Sequence, residues 1–271
     1  MRPLPIIALL LSLVCVLAAQ QKPQPPAPLG VAPQPGTLTA PGQIVRPAPG
    51  YRFPDNQTLI YTAEWRIWTA GTASLRMEPA GAERKVTATA DSTGFVSLLY
   101  HVHDIFQSYF DPATYCSARI SKHTEEGFRR LDTNIAFESA RKTAVLSEKN
   151  LRKGTSKREE HEIPGCVTDV VSGIFYLGSL PLLRQAHYTF PLNDGGKTVY
   201  GDAEVEGIED LKTPAGTFHA IRVQVSAASG VLKDRGKVWI WYDEATRLPV
   251  QMRGRLFWGS LTFTLSRVDR K

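Results

Sequence analysis

Residues two apart on an extended chain point to one face, so His101 and His103 could share a ligand if His123 or a carboxylate such as Asp104 completed the set. Two imidazoles alone do not make a site, and the expectation is hydrogen-bonded or surface histidines with no metal. Ser97, His101 and Asp104 supply the residue types of a hydrolytic triad, but triads are defined by geometry and not by closeness in sequence. The pairs Glu125 and Glu126, and Glu159 and Glu160, stand beside basic residues and turn glycines and read as solvated hairpin surface instead of a glycosidase pair. The sequence holds no G-x-S-x-G, H-E-x-x-H or Walker A pattern, and no G-x-G-x-x-G opening a helix. No catalytic residue and no cofactor is expected.

Two other groups could bind without reacting. Trp65, Trp68, Trp239, Trp241 and Trp258 all fall on expected strands, and Trp239 and Trp241 must share a face. With Phe175 they are the candidates for lining an apolar groove, or else they are core. Lys149, Arg152, Lys153, Lys157 and Arg158 surround Gly154 in the densest basic cluster of a chain of formal charge +6. That cluster reads first as a hairpin tip, and second as a contact for anionic lipid or acidic polysaccharide. No nucleic-acid motif accompanies it.

The elements that must position these residues are mostly strands. Tyr61, Ala63, Trp65 and Ile67 alternate with Thr62, Glu64 and Arg66, which predicts a half-buried antiparallel strand over 59–68 with a turn at Thr69 to Gly71. The same alternation recurs at Leu131 to Phe137, Thr217 to Val225 and Leu261 to Leu265, and about ten or more strands follow from it. The exception is IPGCVTDVVSGIFYLGSLPL. There Thr168 or Asp169 can cap a helix over about 167–180, apolar residues follow at helical spacing, and Gly178 and Pro181 are expected to end it. So short an apolar helix is marginal alone and needs a large surface to pack on. A flat sheet of this size would curl or split, so the expected fold is mostly β: a single strongly curved antiparallel sheet or incomplete β-barrel with one inserted helix. A two-sheet sandwich is the competitor.

The first fifty residues are of another kind. Arg2, an apolar run from Ile6 to Leu17, and Ala18 and Ala19 form a secretory signal pattern over 1–19. Cys15 lacks the small preceding residue of a lipobox. Residues 20–50 are rich in proline and nearly free of charge and aromatics, which predicts a disordered linker before a single β-rich domain over 51–271. Export leaves Cys116 and Cys166 as an even pair, expected to be a disulfide; two buried thiols are the alternative.

LIYTAEWRIWTAGTASLRM, YHVHDIFQSYFDP, IPGCVTDVVSGIFYLGSLPL, TPAGTFHAIRVQV and VWIWYDEATRLPVQM, in that order, resemble the exported bacterial proteins grouped as domain of unknown function family 3108. The resemblance runs from about Leu59 to Val268. It implies a secreted or periplasmic β-rich domain, akin in fold to the half-barrels of lipoprotein carriers, and supplies no catalytic residues. The expectation is therefore a cell-envelope protein that binds a lipid, lipoprotein segment or glycolipid on a concave face. The alternative is an envelope interaction module without a cavity, and an unrecognised hydrolase is a third reading. Partner identity and oligomeric state have no signature in the sequence.

Overall fold

Apolar alternation broken by short turns makes neighbouring strands pair in sequence order. The computed structural model describes residues 42–227, 236–256 and 259–270. The expected signal segment, most of the expected linker, Cys15 and Trp258 lie outside the described residues. One antiparallel sheet of fourteen strands accounts for most of the rest. The first eight are β1 (Gln57–Trp65), β2 (Trp68–Ala80), β3 (Glu83–Ser92), β4 (Val102–Phe110), β5 (Ser117–Glu126), β6 (Arg129–Glu138), β7 (Thr143–Asn150) and β8 (Thr155–Glu162). The other six are β9 (His187–Asn193), β10 (Thr198–Thr213), β11 (Gly216–Ala227), β12 (Lys237–Asp243), β13 (Pro249–Leu256) and β14 (Gly259–Arg270). Two meanders, β1 to β8 and β9 to β14, meet where β1 pairs with β14, from Gln57 with Arg270 to Trp65 with Leu261, with one bulge between Ile60 and Tyr61. β8 and β9 are left as the two edges, so the curved sheet is not closed into a barrel.

Each edge is managed. β8 exposes the charged run Lys157 to Glu160, which disfavours pairing with another chain. β9 is met by the segment entering the helix: Thr168 N–H donates to Pro191 O at 3.0 Å, and Asn193 N–H donates to Thr168 O at 2.9 Å.

The inserted helix α2 (Val170–Ser179) has nine of its residues buried, all but Ile174. Asp169 caps it with a capping box. At the other end Ser179 Oγ donates to Tyr176 O, and Ala48 N–H donates to Ser179 O, so these terminal carbonyls are satisfied. Tyr242 Oη donates to Ile174 O at 2.6 Å and Tyr115 Oη to Phe175 O at 3.3 Å, which pins the helix between β12 and the β4–β5 loop. Burial pushes both phenols well above their usual range, so they remain donors at physiological pH. The Cys116–Cys166 disulfide, with its Cα atoms 5.0 Å apart, ties that loop to the helix entrance.

The structure corrects four local expectations. Ile67 does not continue the first strand inward; it is 88% exposed in a two-residue turn with Arg66, whose φ of 57° is left-handed. Alternation in sequence runs through a tight turn without announcing it, and the Thr69–Gly71 stretch is instead bulged strand. Gly178 does not end the helix. It lies in the last turn because a Cβ there would stand 2.9 Å from the Tyr242 ring and 3.0 Å from Arg247 O. A second helix, α1 (Gly94–Leu99), follows β3; its six residues include no buried one, so no apolar stripe betrayed it. Lastly, residues 42–50, expected as linker, lie along α2, with Val45 N–H donating to Tyr176 Oη at 3.1 Å.

Candidate functional site

Polar chemistry inside the sheet collects in two places. At the head of α2 the Asp169 carboxylate, fully buried, accepts from Val171 N–H, Ser172 N–H and the hydroxyls of Ser108, Ser117 and Ser172, all at 2.5–3.0 Å. Five donors saturate it, which makes it a structural cap with no acceptor capacity to offer a substrate. The second is Asp104 with Glu126, 2% and 1% exposed on neighbouring strands. Burial first, then the adjacent Glu126 charge, raise the Asp104 carboxyl to about 8, so at neutral pH it carries a proton. Its Oδ1 accepts from Glu125 N–H at 3.1 Å. Arg129 approaches Glu126 at 3.9 Å from outside, and the Tyr100 ring packs on Gly127 above them. Glu125 and Glu126 are therefore not both hairpin surface, because adjacent strand residues take opposite faces.

The histidines are on the outer face, away from Asp104. His103 Nδ1 is 2.6 Å from Asp91 Oδ1, and His123 Nδ1 is 2.6 Å from Asp132 Oδ1. The two rings stand 6.3 Å apart, and His101 is 3.7 Å from Glu125. Among the described residues no three His, Cys, Asp or Glu side chains are arranged to hold a metal. Ser97 is on the exposed helix α1, His101 faces Glu125, and Asp104 is buried on the inner side of β4, so these three are not brought together as a triad. Glu159 and Glu160 are exposed on the β8 edge.

The tryptophans divide. Tyr242 reaches α2, so Ile240 and Val238 share the concave side, and Trp239 and Trp241 stand on the opposite, outer face. Trp241 is 6% exposed because Arg253 lies over its ring and Glu209 accepts from its Nε1 at 2.6 Å. Trp65 is half-buried on the concave side, and Phe175 is core. Among the described residues the concave face is occupied by α2 at one end. At the other, the β9–β10 turn tucks in: Asp194 pairs with Lys122, and Gly195 lies against Leu146. The expected apolar groove over Trp239 and Trp241 is thus absent from the concave side of these residues. An open groove on the outer face is of mixed character, with Gln107, Arg119, Asn134 and Arg158 beside Tyr109, Ala136 and Val145.

The basic cluster does form a hairpin tip. Lys149 is next to last in β7, Arg152 and Lys153 occupy the turn, and Lys157 and Arg158 run back along β8, where Lys157 lies near Glu148 and Glu159.

What sequence reasoning missed is a rim. In an antiparallel meander the β1–β2 turn, the α1 connection, the β5–β6 turn and the β7–β8 tip all leave the same end of the sheet. These turns are joined by hydrogen bonds: Thr93 N–H to Ala70 O, Gly127 N–H to His101 O, Leu151 N–H to Arg130 O, and Arg152 Nη1 to Phe128 O. They expose Ile67 (88%), Trp68 (64%), Phe95 (72%), Leu98 (84%), Leu99 (69%) and Phe128 (86%). A soluble monomer ordinarily leaves its largest apolar patch at about 300–600 Å². Six large apolar side chains, each mostly uncovered and on turns at one end of the sheet, are more than singly scattered surface residues. The available signal was GFVSLL beside IW and GF, apolar residues in segments too short to be buried.

Fold and site together define a disulfide-bonded, barrel-like β protein wound round one helix, with its polar chemistry sealed inside and apolar side chains on one rim. The chain belongs to the family described as protein of unknown function (DUF3108), whose model matches residues 60–266. No curated protein matches it. Among solved structures it is similar to a β-barrel-like protein of domain of unknown function DUF1849 from Brucella abortus. The TM-score is 0.58 at 10% identity, over 79% of this chain and 97% of that one. That likeness shows the fold alone. It is also similar to a predicted exported protein with a YmcC-like fold from Bacteroides fragilis, at TM-score 0.35 and 8% identity over 81% of this chain and 98% of that one. For a predicted lipoprotein from Parabacteroides distasonis the values are 0.31 and 11%, over 81% and 97%. Likenesses of that size carry no argument. Among the described residues no helix is long and apolar enough to cross a membrane.

Proposed function

We propose that this protein is exported to the cell envelope and acts there by binding, without catalysis, through the apolar rim. Export is supported by the signal pattern at 1–19 and by the disulfide, which persists only in an oxidising compartment. The observation that carries the reading is the set of six large apolar side chains, 64% to 88% exposed, on hydrogen-bonded turns at one end of the sheet. Such side chains contribute nothing to the core and leave water poorly solvating them, so covering them is favourable. Carriage of a lipid inside the sheet is the weaker reading, since α2 and the β9–β10 turn occupy the concave face and Trp239 and Trp241 face outward. Polar surface groups such as His103 with Asp91 account for themselves as hydrogen-bonded pairs.

A photo-crosslinking residue placed at Leu98 or Phe128 in the native host should give envelope-derived adducts, protein or lipid. The same residue at Glu159, on the charged edge strand, is the comparison. Equal adduct yields at rim and edge would end the proposal.

A further inference from the structure

We propose that the occupant of the rim is the surface of an anionic lipid bilayer, an inference that rests on the binding reading just given and names its partner. The first support is the composition of the rim turns. Residues 66–68, 93–101, 127–128 and 150–154 contain Arg66, Arg152 and Lys153 but no aspartate or glutamate, while Arg129 and Arg130 behind them are paired with Glu126 and Glu125. Charge of one sign interleaved with exposed apolar side chains is what an anionic headgroup layer over acyl chains complements. Arg152 shows the pairing at one residue: its guanidinium lies 5.4 Å from the Phe128 ring centre and donates to Phe128 O, so ring and cation leave the protein together.

Shape is the second support. The apolar side chains project from separate turn tips and from a one-and-a-half-turn helix that buries none of its own residues. A folded protein partner would need a matching set of pockets to reach the packing density of an interface. A bilayer interface needs none, because lipid adjusts to whatever protrudes. Trp68 and the two phenylalanines are also residue types that gain at the boundary between headgroups and hydrocarbon.

Flotation of the purified full-length exported protein with vesicles tests this. Phosphatidylcholine vesicles containing about one third phosphatidylglycerol, enough to give a strongly negative surface potential, should carry the protein up the gradient. Pure phosphatidylcholine vesicles should bind it at least about tenfold more weakly, a difference that high salt reduces. The double variant Leu98→Asp with Leu99→Asp should lose at least about tenfold in vesicle affinity while its melting transition stays in place, because α1 is outside the core. Arg152→Glu with Lys153→Glu should abolish the preference for anionic vesicles. Failure of the wild-type protein to float with either vesicle, or flotation of the Leu98 and Leu99 variant like wild type, would overturn the inference. Equal binding to both vesicles would overturn its anionic part. Protein adducts at Leu98 without flotation would refute the bilayer and leave the rim reading standing; neither adducts nor flotation would refute both.

Discussion

Ser117 Oγ donates a 2.6 Å hydrogen bond to Asp169 Oδ2, so the residue after one half-cystine holds the capping carboxylate of the helix that begins shortly after the other. The Cys116–Cys166 bond thus holds the cap and one of its donors together. In the chain-entropy model, closing a loop of 50 residues contributes about 4 kcal/mol, enough to matter against an ordinary domain stability.

Asp169→Ala should lower the stability of the domain by about 3–5 kcal/mol. The change removes the acceptor of three hydroxyls and two backbone N–H groups in a place water does not reach. The urea midpoint should fall at an unchanged slope, and a midpoint within error of wild type would show that the network is not worth its hydrogen bonds.

Asp104 sets a pH dependence. In the folded protein it keeps its proton to about pH 8, whereas an unfolded aspartate releases it near 3.8. Folding therefore takes up a proton between those values, and stability falls as pH rises through that window. Asp104→Asn retains an acceptor for Glu125 N–H and cannot ionise. Its melting temperature should gain on wild type by about 7–15 °C between pH 5 and pH 8. Parallel curves for the two proteins across that range would refute the assignment.

Gly178→Ala separates packing from helix propensity. Alanine in a helix is favoured over glycine by about 1 kcal/mol. The new methyl would meet the Tyr242 ring and the Arg247 carbonyl at 2.9 and 3.0 Å, and overpacking costs about 1–3 kcal/mol. Because one of those neighbours is backbone, packing should win and denaturation should come earlier than in wild type. A stabilised variant would show that β12 can move away from the helix.

The sequence by itself determined the strand content, the lone core helix with its cap, the cysteine pair and the family. Each of these is written in local signals: period-two alternation, Asp169 three residues before Ser172, two cysteines within the β-rich part of the chain. Which face a residue takes is another matter. Trp239 and Trp241 share a face by alternation alone, but only the Tyr242 bond to Ile174 says that the face is the outer one. Glu125 and Glu126 look alike in sequence, and burial under Tyr100 separates them. The rim is the clearest case. Alternation assigns Ile67 to a strand and no local pattern marks Leu98 or Phe128, yet Ile67 and Phe128 end on turns and Leu98 on the short helix α1. Meander order then gathers these tips, distant in sequence, at one end of the sheet. Local pattern fixes which residues alternate; where the alternation faces, and what its interruptions bring together, follows from long-range pairing that no short stretch of chain contains.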